Sequence, residues 1–168
     1  GDDEGDGRGP QPCVLLGHSL GAAVCSLLAG ARPERFPAVV LIEGFGWWQG
    51  DKDRYNEGHA LQYEKNLVHL IKTLRREFKA PNAKFVLATL GQTAMDTAQG
   101  NEKLILEAQL AVDGNTGKYT EFKGNVATVY THPLSQGGAS NSHYNGNSQT
   151  YMDVGLAMGA AMIELNKQ

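Results

Sequence analysis

The apolar residues of this chain fall into short runs and helical stripes that alternate along the sequence. The short runs, which predict β-strands, are residues 14–16, 38–42, 84–90 and 125–131. The stripes with apolar residues three or four apart, which predict helices, are residues 20–29, 60–78, 102–112 and 149–165. Strands that alternate with crossover helices form parallel sheets covered on both faces. We therefore expect an α/β protein, a three-layer α/β/α sandwich around a small, mainly parallel sheet.

Composition narrows the class of protein. The chain has 168 residues, 41% of them hydrophobic and 20% charged, which is typical of one globular domain. A net charge of −3 without a basic stripe argues against a nucleic-acid partner. No apolar run approaches membrane-spanning length. We expect residues 1–12, which are rich in Gly, Asp and Pro, to be a flexible arm, and residues 13–168 to be a single domain without a metal or cofactor.

One stretch carries the pattern of a nucleophile. Gly17-His18-Ser19-Leu20-Gly21 follows the first predicted strand and opens the first predicted helix. A serine on such a turn, the nucleophile elbow, is lifted clear of the sheet, and glycines on either side avoid a collision. The backbone N–H of Leu20, at the helix N-terminus, points to where an oxyanion would form. The pattern therefore predicts Ser19 as a catalytic nucleophile and Leu20 as part of an oxyanion hole.

A catalytic serine needs a base, and two histidines occupy the expected edge of the sheet. His132 directly follows the fourth predicted strand, and His143 lies in the loop before the last helix. The other histidines are placed differently: His18 is adjacent to the serine on the turn, His59 precedes a helix and His69 is on a helix's polar face. We favour His143, because its loop runs into a helix that packs on the sheet.

The segment after the second predicted strand supplies candidate acids and aromatic residues. Asp51 and Asp53 lie beyond this strand, where α/β sheets place their ligands, and Glu43 is a weaker alternative. Trp47 and Trp48 are adjacent in the same segment. We expect the two tryptophans to stack on a sugar ring and one of the acids to orient the histidine.

From about residue 45 onward, the chain resembles the sialate O-acetylesterase-like carbohydrate esterases of the SGNH hydrolase superfamily. The resemblance is carried by the blocks GFGWWQGD, FVLATLG, HYNGN and YMDVGLAMGAAM. It implies a flavodoxin-like fold and O-deacetylation of sugars. The family's catalytic histidine corresponds to His143 and its acid to Asp51, and Gln49 corresponds to a residue beside the oxyanion. Many SGNH enzymes carry an Asp three residues before the histidine, where this chain has Ser140, and this favours Asp51 as the acid.

Residues 14–43, which include the motif GHSLG, resemble a different family, the α/β-hydrolases around their nucleophile elbow. The chain therefore resembles a join of two hydrolase segments near residues 43–47. We expect a serine esterase that hydrolyses acetyl or other short acyl esters, with an acylated carbohydrate or other small ester as substrate. The alternatives are a non-catalytic carbohydrate-binding or vestigial domain, and a lipase or esterase of the α/β-hydrolase type. The carbohydrate esterase resemblance implies a secreted or periplasmic protein.

Overall fold

The computed structural model describes residues 44–136 and 143–168, all of which belong to one compact unit, Leu41–Gln168. The predicted elements at residues 14–16, 20–29 and 38–42 lie outside the described residues. The same is true of Ser19, Leu20 and Glu43. The described part therefore contains all five of the elements predicted after residue 44, together with loops at the carboxyl ends of the strands.

Three parallel strands form the described sheet. They are β1 (Gly44–Trp48), β2 (Lys84–Ala88) and β3 (Val126–Val129), and β2 lies in the middle. Phe85 of β2 is paired with Phe45 on one side and with Val126 on the other. The predicted α/β class with a small parallel sheet is confirmed.

Strand β1 was not predicted from the sequence, which placed these residues in a loop after the strand at 38–42. Glycine is unfavourable inside strands, so the sequence GFGWW does not indicate one. The structure gives a steric reason for Gly44, and at Gly46 a Cβ would make an ordinary contact. A Cβ at Gly44 would lie 2.6 Å from Met162 Cε, and a Cβ at Gly46 would lie 3.7 Å from Met158 Cε. The Met162 side chain therefore fills the space that a larger side chain at position 44 would occupy.

The three long helices match the predicted segments to within about three residues at each end. They are α1 (Glu57–Glu77), α2 (Gly100–Ala111) and α3 (Ser148–Asn166). Asn56 and Asn147 cap α1 and α3, because each side-chain oxygen accepts a backbone N–H three residues later at 3.0 Å. These caps fix where the helices begin.

The helices cover both faces of the sheet. On one face, α1 and α2 pack on β2 through an apolar core that contains Phe85, Leu87, Ile71 and Ile105, all fully buried. On the other face, α3 packs on β2 and β3. Successive strand residues alternate between the faces, which is why both faces of β2 are apolar.

A buried carboxylate closes the connection between α2 and β3. Oδ1 of Asp113 accepts the backbone N–H groups of Asn115 and Thr116 at 2.9 Å, and Oδ2 accepts the N–H of Thr128 at 2.8 Å. Burial acts to raise the pKa of Asp113, but these hydrogen bonds outweigh it and hold the pKa below its usual value. Asp113 therefore joins a turn to the sheet as a structural ion.

Candidate functional site

The carboxyl edge of the sheet brings together the predicted site residues that the structure describes. Gln49 and Asp51 follow β1, and His143 precedes α3. The geometry around Ser19 and Leu20 lies outside the described residues, so their roles stay predictions. Two turns form the described part of this edge, one after β1 and one before α3.

The turn after β1 is held by its backbone carbonyl. The Gln49 carbonyl oxygen accepts the Tyr63 hydroxyl at 2.7 Å and Gln109 Nε2 at 2.9 Å. Gly50 has φ +135°, and a Cβ there would lie 3.2 Å from both Ile105 Cγ2 and the Tyr63 hydroxyl. The turn therefore requires glycine for its backbone conformation and for the space it leaves.

The side chain of Gln49 is also held. Its Nε2 donates to Asp53 Oδ2 at 2.6 Å, and its Oε1 lies 3.3 Å from the Tyr63 hydroxyl. Burial raises the pKa of Tyr63, so the hydroxyl stays protonated at neutral pH and can donate. The exposed Gln49 amide is thus held at its nitrogen by Asp53, and its oxygen lies next to the Tyr63 hydroxyl.

Sequence reasoning did not single out Tyr63 or Gln109. Tyr63 occupies an inward position of α1, and Gln109 is a polar residue on the buried face of α2. A glutamine within the apolar stripe of a helix was the signal that could have drawn attention to α2. The sequence does not show that Gln109 binds the turn after β1, because that turn is distant in sequence.

Asp51 is bound by two donors. Its Oδ1 accepts Arg54 Nε at 2.9 Å and Gln92 Nε2 at 2.6 Å. Arg54 in turn forms an ion pair with Glu102 of α2. Both hydrogen bonds to Asp51 end on the same oxygen, Oδ1, and hold that oxygen at the end of β1.

Gln92 connects Asp51 to the turn before α3. Its Oε1 accepts the Tyr144 hydroxyl at 2.9 Å, and the same hydroxyl accepts the backbone N–H of Gly91 at 3.0 Å. Burial raises the pKa of Tyr144, which keeps this hydroxyl protonated. One chain of hydrogen bonds therefore runs from Asp51 through Gln92 to the residue that follows His143.

The turn that carries His143 has an uncommon backbone. His143, Tyr144 and Asn145 have φ values of 49°, 57° and 52°, and Gly146 continues the run at 67°. Non-glycine residues in this left-handed region cost roughly 1–3 kcal/mol each when the surrounding structure imposes the conformation. The Tyr151 hydroxyl donates to the His143 carbonyl at 3.1 Å. The structure therefore holds His143 at an exposed position on a strained turn.

Within the described residues, no carboxylate forms a hydrogen bond or ion pair with the His143 ring. The bonds of Asp51 go to Arg54 and Gln92, and Asp53 lies 3.9 Å from His59 Nδ1. Among the described residues, hydrogen bonds lead from Asp51 through Gln92 to Tyr144, the neighbour of His143.

The other histidine considered as the base is tied to the sheet. His132 lies in the turn after β3, and its Nδ1 is 2.7 Å from the carbonyl oxygen of Gly91. Because a carbonyl oxygen only accepts hydrogen bonds, Nδ1 is the donor in this contact. His69 is exposed on α1, with its Nε2 3.3 Å from Thr73 Oγ1. Neither histidine has a described carboxylate partner.

The two tryptophans point to opposite faces of the sheet because they are adjacent in β1. Trp47 packs against the apolar core between the sheet and the first two helices. Trp48 donates from Nε1 to the Thr89 carbonyl at 3.1 Å, and its ring stacks on Tyr144 with centroids 5.5 Å apart. Tyr151 meets the same indole at 5.4 Å. Trp48 therefore belongs to an aromatic cluster beside the His143 turn, and Trp47 does not.

The described residues contain neither a candidate membrane-spanning helix nor a candidate metal site. No helix there is long and apolar enough to cross a membrane. In that same part of the chain, no three His, Cys, Asp or Glu side chains are grouped so that they could hold a metal ion.

With this site in place, comparison with known families assigns the class of protein. The family model for carbohydrate esterases described as sialic acid-specific acetylesterases matches residues 31–164. The chain belongs to this family of carbohydrate esterases. The match spans the turn after β1 and the turn that carries His143, so both parts of the described site lie within the family region.

Two individual proteins are also similar. One is the lipase LipV of Mycobacterium tuberculosis, which is 48% identical over 42 residues, 25% of this chain and 15% of the lipase. The other is an Arabidopsis thaliana protein of known crystal structure, with a TM-score of 0.60 and 19% identity over 88% of this chain. This chain covers 53% of the Arabidopsis protein and therefore spans little more than half of its length. That likeness supports the fold alone.

Proposed function

We propose that this protein is a serine esterase that removes acetyl or other short acyl groups from carbohydrate. Family membership supports ester hydrolysis, and the short similarity to a lipase supports the same class of reaction. The observation that carries the proposal is the shared edge of the sheet. Gln49 and Asp51 lie at the end of β1, and hydrogen bonds hold both side chains. Hydrogen bonds also connect Asp51 to the turn of His143.

In the proposed reaction, Ser19 Oγ attacks the ester carbonyl and its proton passes to His143. The tetrahedral intermediate carries its charge on the former carbonyl oxygen, which the N–H of Leu20 and the amide of Gln49 stabilise. The intermediate collapses, and the sugar hydroxyl leaves with the proton from His143. Water then attacks the acyl-serine in the same way, which releases a carboxylic acid and restores Ser19.

We propose Asp51 as the acid that supports His143. In the structure, its Oδ1 is occupied by Arg54 and Gln92. Its other oxygen, Oδ2, is the atom proposed to accept the His143 N–H in the catalytic arrangement. A shift of the exposed His143 turn toward the end of β1 is needed for this contact. Catalytic hydrogen bonds are often long in the absence of substrate and tighten when substrate binds.

For the sugar we propose the aromatic cluster of Trp48, Tyr144 and Tyr151. Trp48 is half-buried next to the His143 turn, which is where the alcohol part of the ester would lie. Amphipathic aromatic rings stack on the apolar faces of ligands while keeping polar groups near water. In this proposal Trp47 supports β1 from the core and does not touch the sugar. We propose that residues 13–168, which include the segment that carries Ser19, belong to one hydrolase domain.

Labelling of the full chain with a fluorophosphonate probe tests the proposal. The probe forms a covalent bond with an activated serine, so we expect labelling of the parent and of Ser26→Ala, and none of Ser19→Ala. Turnover of p-nitrophenyl acetate should fall at least about 10⁴-fold in Ser19→Ala, with an unchanged melting temperature.

The same experiment separates the alternatives. Folded protein that is not labelled would favour a non-catalytic carbohydrate-binding or vestigial domain. Faster turnover of p-nitrophenyl octanoate than of the acetate would favour the lipase alternative. Release of acetate from an O-acetylated sugar, compared with its release from p-nitrophenyl acetate, measures the contribution of the carbohydrate.

A further inference from the structure

Gln109 is a fully buried polar residue whose hydrogen bonds are all used. Its exposed fraction is 0%, and its Oε1 accepts the backbone N–H of Leu90 at 3.2 Å. Its Nε2 carries two protons, one directed at the Gln49 carbonyl at 2.9 Å and one at the Tyr63 hydroxyl at 3.3 Å. A buried amide with no partner would cost roughly 1–3 kcal/mol, so this network requires every bond.

The two donors from α1 and α2 meet at one residue of the turn after β1. Tyr63 is 6% exposed, and its hydroxyl gives its single proton to the Gln49 carbonyl at 2.7 Å. The same hydroxyl lies 3.3 Å from Gln49 Oε1. Gln49 itself is exposed, so two buried side chains determine the position of a residue at the surface.

The outer end of the Gln49 amide is fixed as well, because Nε2 donates to Asp53 Oδ2 at 2.6 Å. A primary amide has two N–H groups. With one of them bound to Asp53, the orientation of the second is set by the plane of the amide. A donor that is already oriented stabilises a developing negative charge without reorganising during the reaction.

We propose that Tyr63 and Gln109 are positioning residues, which hold the Gln49 amide so that its second N–H donates to the oxyanion of the tetrahedral intermediate. The inference rests on the proposed esterase function and extends it to residues that do not touch the substrate. Tyr63 and Gln109 act from the far side of the turn, through the carbonyl of Gln49.

Tyr63→Phe tests the proposal with little change in shape. The matched control is Tyr119→Phe, because the Tyr119 hydroxyl also bonds to α1, at Glu64, and has no contact with the turn. We expect Tyr63→Phe to lower kcat for p-nitrophenyl acetate about tenfold with KM within about twofold, a part of the 10²–10³-fold cost of losing an oxyanion donor. Tyr119→Phe should keep the parent kcat.

A double-mutant cycle with Gln49→Ala distinguishes a positioning role of Tyr63 from a merely structural role. If Tyr63 acts through the Gln49 side chain, Tyr63→Phe should have less than about a threefold effect on kcat in the Gln49→Ala background. A full tenfold loss of kcat in the Gln49→Ala background would overturn the proposal that Tyr63 acts through Gln49. Gln109→Leu is the second variant. It should lower kcat in the parent and have a smaller effect on kcat in the Gln49→Ala background. Its melting temperature shows how much of the loss of activity comes from unfolding.

The outcomes distinguish the inference from the function on which it rests. If the parent protein is neither labelled by fluorophosphonate nor active, the esterase proposal fails and the inference fails with it. If the parent is labelled and active, and folded Tyr63→Phe keeps kcat within twofold of the parent, only the positioning role fails.

Discussion

Gln92 donates from Nε2 to Oδ1 of Asp51 at 2.6 Å. The relationship is informative because the other end of the same side chain, Oε1, accepts the Tyr144 hydroxyl at 2.9 Å. Asp51 follows β1, Gln92 follows β2, and Tyr144 lies directly after His143. One glutamine thus couples the ends of two strands to the turn that presents the proposed base.

Tyr144→Phe should destabilise the protein by about 1–3 kcal/mol, because the buried Gly91 N–H would lose its acceptor. Tyr130→Phe is the matched control, since the Tyr130 hydroxyl is 3.0 Å from the Met95 N–H at an exposed position. We expect that variant to change stability by less than about 0.5 kcal/mol. Urea unfolding of both variants makes the comparison, and equal losses would contradict the importance of the buried bond.

Asp51→Asn should lower kcat for p-nitrophenyl acetate by about 10⁴-fold if Asp51 is the acid of the triad. Asp153→Asn is the control, because Asp153 accepts a hydrogen bond from Gln149 of the same helix, α3. Steady-state kinetics of the two variants decide the assignment. A loss smaller than tenfold in folded Asp51→Asn would mean that Asp51 anchors Arg54 and Gln92 without acting as the acid.

Gly50→Ala should cost about 2–3 kcal/mol, since φ +135° is strained for any residue with a Cβ. The new Cβ would also press on Ile105 and on the Tyr63 hydroxyl. Gly155→Ala in α3 should have the opposite effect on stability. A Cβ there meets nothing within 4 Å, and alanine is favoured over glycine in helices by about 1 kcal/mol. Thermal unfolding should therefore show a lower melting temperature for Gly50→Ala and a higher one for Gly155→Ala.

Asp113 should make stability depend on pH in the acid range. Its pKa is lowered in the folded state, so it contributes stability above the unfolded value of about 3.9. That contribution is lost as the pH falls below this value and through the folded pKa. We expect Asp113→Asn to unfold more easily at pH 7 and to lose less stability than the parent between about pH 4 and pH 2. Parallel acid-dependence curves for the two proteins would contradict this role.

The periodicity of the sequence was sufficient for three helices and for β2 and β3. These segments have unambiguous apolar stripes or runs, and asparagine caps stand directly before α1 and α3. Strand β1 could not be predicted in this way. The space beside Gly44 is filled by Met162 of α3, and this methionine lies more than a hundred residues later in the chain.

The candidate site, like the fold, could be predicted only in part from the sequence. The sequence by itself determined the family blocks and the segments that carry Gln49, Asp51 and His143, because residue type and spacing are written in the chain. Only the tertiary structure decided which buried groups hold them. Gln92 meets Asp51 and Gln109 meets Gln49 because parallel strands and crossover helices bring together residues 41 and 60 positions apart. Hydrogen bonds between such distant residues leave no periodic signal, since their geometry exists only when the sheet is formed.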